Sequence, residues 1–213
     1  MSDRRPVEPD MIVTARESLS AELKSEGRPI ESIPVAVQVE RIRELLGAQY
    51  ASRPEQVVRD YDEGGLKEHP PTINPEAVAL VRNLNSLGFP VIVVTDTSRS
   101  GSAWKSFLEA EGGFRVAHVI ASTDVGVCKP DNRIFVEAAR QAGVAASEIL
   151  HVGDSWRWDV VGARAGGLGA ALYRGLWTRV WDPDRLREGA CSEDPLVPRI
   201  DDLSEIPTLL GYE

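Results

Sequence analysis

Only two cysteines occur in the 213 residues, Cys128 and Cys191, in unrelated contexts and without CxxC spacing. That scarcity argues against a disulfide framework and against a thiolate zinc site. Basic residues are also short: 24 Lys and Arg stand against 33 Asp and Glu, for a net charge of −9. Affinity for a phosphate backbone needs the opposite balance, so nucleic acid is not an expected partner. A small anion held by one lysine is compatible with it. No apolar run approaches the ~20 residues of a membrane span. The opening MSDRRPVEPD lacks the apolar stretch of a signal peptide. No membrane and a cytoplasmic location are the expectations. Internal repeats and low-complexity tracts are missing as well. What remains, at 42% hydrophobic and 27% charged, is an ordinary globular chain with one core, or one core and a small insert.

Two grammars follow one another along the chain. After a polar lead-in over residues 1–10, Ile12, Ala15, Leu19 and Leu23 recur at helical spacing, and Gly27 closes the segment. Ser32 is the expected N-cap of a second helix with Val35, Val39, Ile42 and Leu45 on one face. A third short helix is expected near Arg53-Pro54-Glu55. His69-Pro70-Pro71 then marks a boundary, because consecutive prolines do not continue a helix. Beyond it, short β-branched runs alternate with helices. Strands are expected at Val91–Val94, Val116–Ala121, Ile149–Val152 and Ala170–Tyr173, with a short edge strand and a capped helix in the tail. Such alternation predicts right-handed βαβ units and a parallel sheet covered on both faces. The division is therefore 1–69, helical, and 70–213, α/β.

Ligands of such sheets sit beyond the carboxyl ends of the strands. Four polar clusters are expected there: Thr95-Asp96-Thr97-Ser98, Cys128-Lys129-Pro130-Asp131, Gly153-Asp154-Ser155, and Asp159 five residues on. A hydroxyl, an ammonium and carboxylates able to hold Mg²⁺ are the groups a phosphoryl ligand requires. Taken singly, each has a plainer reading. Thr95 and Asp154 suit helix caps, Lys129 a solvated loop, and Asp159 the first turn of a helix. Trp156 and Trp158 suit helix-to-sheet packing or a wall over the site. His151, inside a strand, reads as structural. Arg174, Trp177, Arg179 and Trp181 suit a cation–π surface cluster.

VIVVTDTS, GVCKPDNRIF and HVGDSWRWDVVGARAGG together resemble the second, third and fourth motifs of the haloacid-dehalogenase superfamily. The resemblance spans roughly residues 70–205 and implies a HAD-like Rossmannoid α/β core, with residues 11–68 similar to its helical cap. It implies that Thr95 donates to phosphoryl oxygens and that Lys129 neutralises developing charge. Thr95, Asp96 and Lys129 become the candidate substrate contacts, Asp96 standing where many members carry Asn. Asp154 and Asp159 would hold Mg²⁺, as in the phosphatase branch. The implied ligand is a small phosphorylated molecule.

The family's first motif, an apolar strand ending in Asp-x-Asp-x-Thr with the nucleophile, is not found. Asp60-Tyr61-Asp62 follows a helical pattern and is read as a decoy. Met11–Leu19 carries Thr14 and Arg16 where acids would stand, and its periodicity favours a helix. Three readings compete: a chain that starts too late, a non-catalytic member binding a phosphorylated ligand or a protein, or a binding module of another doubly wound family. In the resembled fold the first-motif strand lies between those ending at Thr95 and Gly153. Without it the chain is expected to recruit Met11–Thr14, to close the two neighbours together, or to be marginal, aggregating or dimeric through the gap.

Overall fold

Ala15, Leu19, Leu23, Ile30, Ile33 and Ile42 are buried against one another and zip two helices into a hairpin, α1 (Pro9–Ser25) and α2 (Val35–Leu46). The computed structural model describes residues 9–46, 62, 64–68, 70–175 and 194–212. The helix expected near Arg53, the Trp177–Trp181 part of the aromatic-basic cluster, and Cys191 lie outside them. Met11–Thr14 is helical, so this segment is not recruited as a strand. Gly27, at φ +72°, turns the chain out of α1. Ser32 is not the cap expected of it. Its hydroxyl donates to the Pro29 carbonyl at 2.7 Å within a 3₁₀ turn, Ile30–Ser32. The Pro34 carbonyl takes the first N–H groups of α2 instead, from Val37 and Gln38. The buried Gln38 amide donates back to the Ile30 and Ile33 carbonyls at 3.2 and 2.6 Å, which pins the turn.

After a short helix, α3 (Gly65–Glu68), the α/β part begins with α4 (Pro75–Ser86), capped by the Asn74 side chain on the Glu76 N–H at 2.8 Å. There follow β1 (Ile92–Thr95), α5 (Gly101–Gly112), β2 (His118–Ala121), α6 (Ser122–Val125) and α7 (Asn132–Ala142). Then come β3 (Leu150–Gly153), a π-helical turn over Trp156–Val161 running into α8 (Gly162–Ala165), β4 (Gly169–Tyr173), β5 (Arg199–Ile200) and α9 (Ile206–Leu209). Each expected strand is present within a few residues at its ends, and all pairings are parallel. None of the described helices is long and apolar enough to cross a membrane.

The sheet, however, is divided. Among the described residues β1 pairs only with β2, and β3–β4–β5 form a second ladder. Both ladders share one core: Ile134 and Phe135 of α7, fully buried, pack with Ile120, Val160, Ala163, Ala170 and Leu172, and Ile92, Val94 and Ile149 lean on the same cluster. On the other face Val152 packs with Tyr173, Ile200, Leu203 and Ile206. Every residue of β1 and β3 is only half-buried, whereas β4 is buried from Ala170 to Tyr173. Among the described residues no strand joins β1 to β3, and the two have not closed up on each other.

The helical hairpin is seated on the α/β part at α6. Ser122 and Thr123, both fully buried, donate their hydroxyls to the main-chain carbonyls of Glu31 and Ile33 at 2.8 and 2.7 Å. The Ser122 oxygen also accepts the Thr97 N–H at 2.9 Å, linking the seat to the loop after β1.

Candidate functional site

β1 ends at Thr95, and the next side chain, Asp96, turns across to the loop before α7. Its Oδ1 accepts the Lys129 N–H at 3.0 Å. From that backbone anchor the Lys129 side chain reaches the other ladder, where its Nζ lies 2.7 Å from Asp159 Oδ1. Asp159 comes from the π turn after β3. There the Asp159 and Val160 N–H groups both bond to the Ser155 carbonyl, a widened turn that brings the carboxylate back against the strand end. Asp159 Oδ2 accepts the Ser155 N–H at 3.0 Å, and its Oδ1 also faces His151 Nε2 at 3.3 Å. Gly153 makes room for this return. A Cβ there would sit 2.3 Å from the Asp159 Cγ, so no side chain fits.

The geometry explains the charges. Burial opposes ionisation of Asp159, yet the His151 hydrogen bond and the Lys129 charge outweigh it and hold the carboxyl well below the usual range. An ionised acceptor makes His151 Nε2 the donor. Asp96 shifts the other way: burial lifts its pKa, and its bond to Lys129 and the Lys129 charge only partly offset this. Cys128, next to Lys129, is pushed up to about 11 by burial and by the Asp96 charge, which leaves it a thiol and no nucleophile at neutral pH.

Of the residues expected at the rim, Asp96, Lys129 and Asp159 are therefore in direct contact. Thr95 and Asp154 flank them at the ends of β1 and β3. The Thr95 hydroxyl has no hydrogen-bond partner among the described residues, whereas Thr97 is engaged by the Trp104 indole N–H at 2.9 Å. Trp156 packs on the core and Trp158 is exposed. Asp62, from the decoy motif, holds Ser100, the N-cap of α5: its carboxylate takes the Ser100 N–H at 2.7 Å and the Ser100 hydroxyl. His151 is the residue that sequence reasoning passed over. Its alternation with Val152 along β3 places it on the α7 face, and only the return of Asp159 makes it part of the site.

The described residues do not fit Mg²⁺. The ion wants near-octahedral oxygen ligands. Asp159 is buried with both oxygens engaged, and no group of three or more His, Cys, Asp or Glu among the described residues is arranged to hold a metal.

Asp96→Asn is expected to raise the melting temperature at pH 7 by a few degrees, since the amide oxygen still accepts from Lys129 and the buried charge disappears. The sign follows from the raised pKa. Above the unfolded value near 3.8 the folded state bears the cost of the charge, and below it the carboxyl is protonated in both states. The gain should therefore vanish on acidification through the carboxylate range. Thermal melts of both proteins across pH 3–7 check this, and a pH-independent difference would contradict it.

Comparison with known proteins gives the same placement. The haloacid dehalogenase-like hydrolase family matches residues 11–167. A glyceraldehyde 3-phosphate phosphatase of Methanopyrus kandleri is 32% identical over 104 residues, 48% of this chain and 44% of that one. The chain thus spans less than half the length of this curated relative. Among solved structures, a 2-haloacid dehalogenase from Pseudomonas syringae superposes with a TM-score of 0.60 at 27% identity, covering 97% of this chain and 82% of that one. A HAD phosphatase from Thermococcus onnurineus gives 0.52 at 26%, covering 81% and 70%. With three motifs at the strand ends, their side chains in contact across the rim and most of its length matched, the chain belongs to the haloacid dehalogenase-like hydrolases.

Proposed function

We propose that this chain binds the phosphoryl group of a small phosphate monoester, within a phosphatase lineage of the family, and that its 213 residues alone do not carry the attacking carboxylate. The observation that carries the reading is Lys129. Its ammonium is fixed between the ends of β1 and β3 by a buried carboxylate, so one cation waits at the rim without having to be ordered on binding. The Thr95 hydroxyl, without a partner among the described residues, is a donor at the end of β1. Asp96 holds the main chain of Lys129 and acts as a brace for the loop. The relatives that are phosphatases by name support a phosphate monoester as the ligand. Among the described residues none at this rim does the work of a nucleophile: Asp159 is committed to Lys129, and Cys128 stays protonated. Thr95 has no adjacent base among the described residues to activate it.

The test is calorimetric and kinetic, on the full chain. Inorganic phosphate is expected to bind with the same affinity in Mg²⁺ and in EDTA, and Lys129→Ala, at a temperature where circular dichroism shows it folded, should abolish the heat. Release of nitrophenol from p-nitrophenyl phosphate with Mg²⁺ should stay at the background rate. Tight phosphate binding by Lys129→Ala would overturn the assignment of the ligand site. Robust turnover that Lys129→Ala abolishes would show that a nucleophile is present after all.

A further inference from the structure

Lys129 is anchored at two ends, and the two anchors differ. Its main chain is tied to the β1 side through Asp96, while its ammonium is tied to the β3 side through Asp159 Oδ1. Where the charge stands along the rim is therefore decided by where that one oxygen stands. Asp159 can place it only if its carboxylate is held against rotation about Cβ–Cγ. Oδ2 is fixed by the Ser155 N–H, and Oδ1 by His151 Nε2. The imidazole is itself immobile. It sits on β3 with its side chain only 12% exposed, and its ring meets that of Phe135 edge to face, with centroids 5.0 Å apart.

We infer that His151 is a positioning residue for phosphate binding, acting through Asp159 to hold the Lys129 ammonium at the rim. The inference rests on the reading of Lys129 as the phosphate ligand. Without the imidazole N–H, Oδ1 has Lys129 as its only remaining partner among the described residues. Of the two holds on the carboxylate only the Ser155 N–H at Oδ2 then remains, and Oδ1 can tilt toward the lysine and draw the ammonium down, away from an incoming anion. The Asp159–Lys129 pair survives the change, so the effect falls on the position of the charge and leaves its presence intact.

The experiment uses two replacements of different shape in the full chain, with inorganic phosphate as the probe. His151→Phe keeps a ring against Phe135 and removes the donor. His151→Gln loses the ring but can present an amide N–H near the place of Nε2. Phosphate affinity is expected to fall about tenfold in His151→Phe, the effect of one charge-assisted hydrogen bond, and to lie within about twofold of wild type in His151→Gln. Both melting temperatures should stay within a few degrees. Loss in His151→Gln with wild-type affinity in His151→Phe would mean that the ring matters for packing alone, and equal loss in the two would mean that a donor near the place of Nε2 does not restore the position; either way the inference falls. Wild-type affinity in His151→Phe, with binding lost in Lys129→Ala, overturns the inference and leaves the lysine reading standing. Undiminished binding in Lys129→Ala removes both. If His151→Phe does not fold, His151→Asn, whose shorter amide does not reach Oδ1, takes its place with the same expected loss.

Discussion

Asp159→Ala is expected to leave the chain unfolded at 25 °C, with no cooperative transition in circular dichroism. The Lys129 side chain is only 15% exposed and its partner 4%, so the substitution strands a largely buried ammonium. Breaking such a pair from one side costs about 3–5 kcal/mol, most of it the penalty of the charge left behind. The Ser155 N–H, in a residue that is almost wholly buried, loses its acceptor too, at roughly 1–3 kcal/mol. A domain has about 5–15 kcal/mol in all. Asp159→Asn separates the terms. It keeps the volume against Gly153 and an oxygen for the Ser155 N–H, and it should remain folded but melt earlier than wild type. An alanine variant that melts within a few degrees of wild type would mean that water solvates Lys129 freely, and the buried-pair argument would be lost.

The wild-type chain should itself melt below about 60 °C, within or under the range of ordinary mesophilic domains, at a midpoint that depends on protein concentration. The cause is the divided sheet. Alternate residues of a parallel strand turn their N–H and C=O toward a given neighbour, so the facing edges of β1 and β3 leave about four donors and four acceptors outside any ladder. Both strands are only half-buried, and among the described residues their facing edges lack the pairing that β4 has on both sides. Open edges of this kind recruit strands from other molecules. Hydrogen exchange should show fast labelling over 92–95 and 150–153 and slow labelling over 169–173. A sharp, concentration-independent transition well above 60 °C in a monomer, with equal protection of all three strands, would refute this account.

How much of this was legible depends on the range of the interaction. Asn74, Ser100 and Asp131 cap their helices through bonds settled within three residues, the range at which sequence is most readable. Ser32 failed for an equally local reason: Pro34 stands two residues on and takes over the helix start. The rim was readable in part, since strand ends locate themselves by hydrophobic runs, and Thr95, Lys129 and Asp159 lie at or just beyond such ends. Which oxygen meets which nitrogen was not readable. The contact of Lys129 with Asp159 spans 30 residues, and that of Asp159 with His151 depends on a π turn that ordinary helical periodicity does not announce. The role of Asp62 was invisible for the same reason, being a bond to Ser100 across 38 residues.

The seat of the helical hairpin has a consequence for how this protein can change. Ser122 and Thr123 hold the hairpin by its main-chain carbonyls at Glu31 and Ile33, and every amino acid supplies a carbonyl. The hydrogen bonds are therefore indifferent to side chains, although Ile33 is kept by its burial in the hairpin core, provided that the turn itself survives through Gln38 and its two acceptors. Position 31, which sits on this seat, can be rewritten without unfastening the hairpin, whereas loss of either hydroxyl at 122 or 123 loosens it whatever the hairpin's sequence. Variation is thus cheap on one side of the joint and expensive on the other, so the two parts of the molecule can drift at different rates while remaining joined.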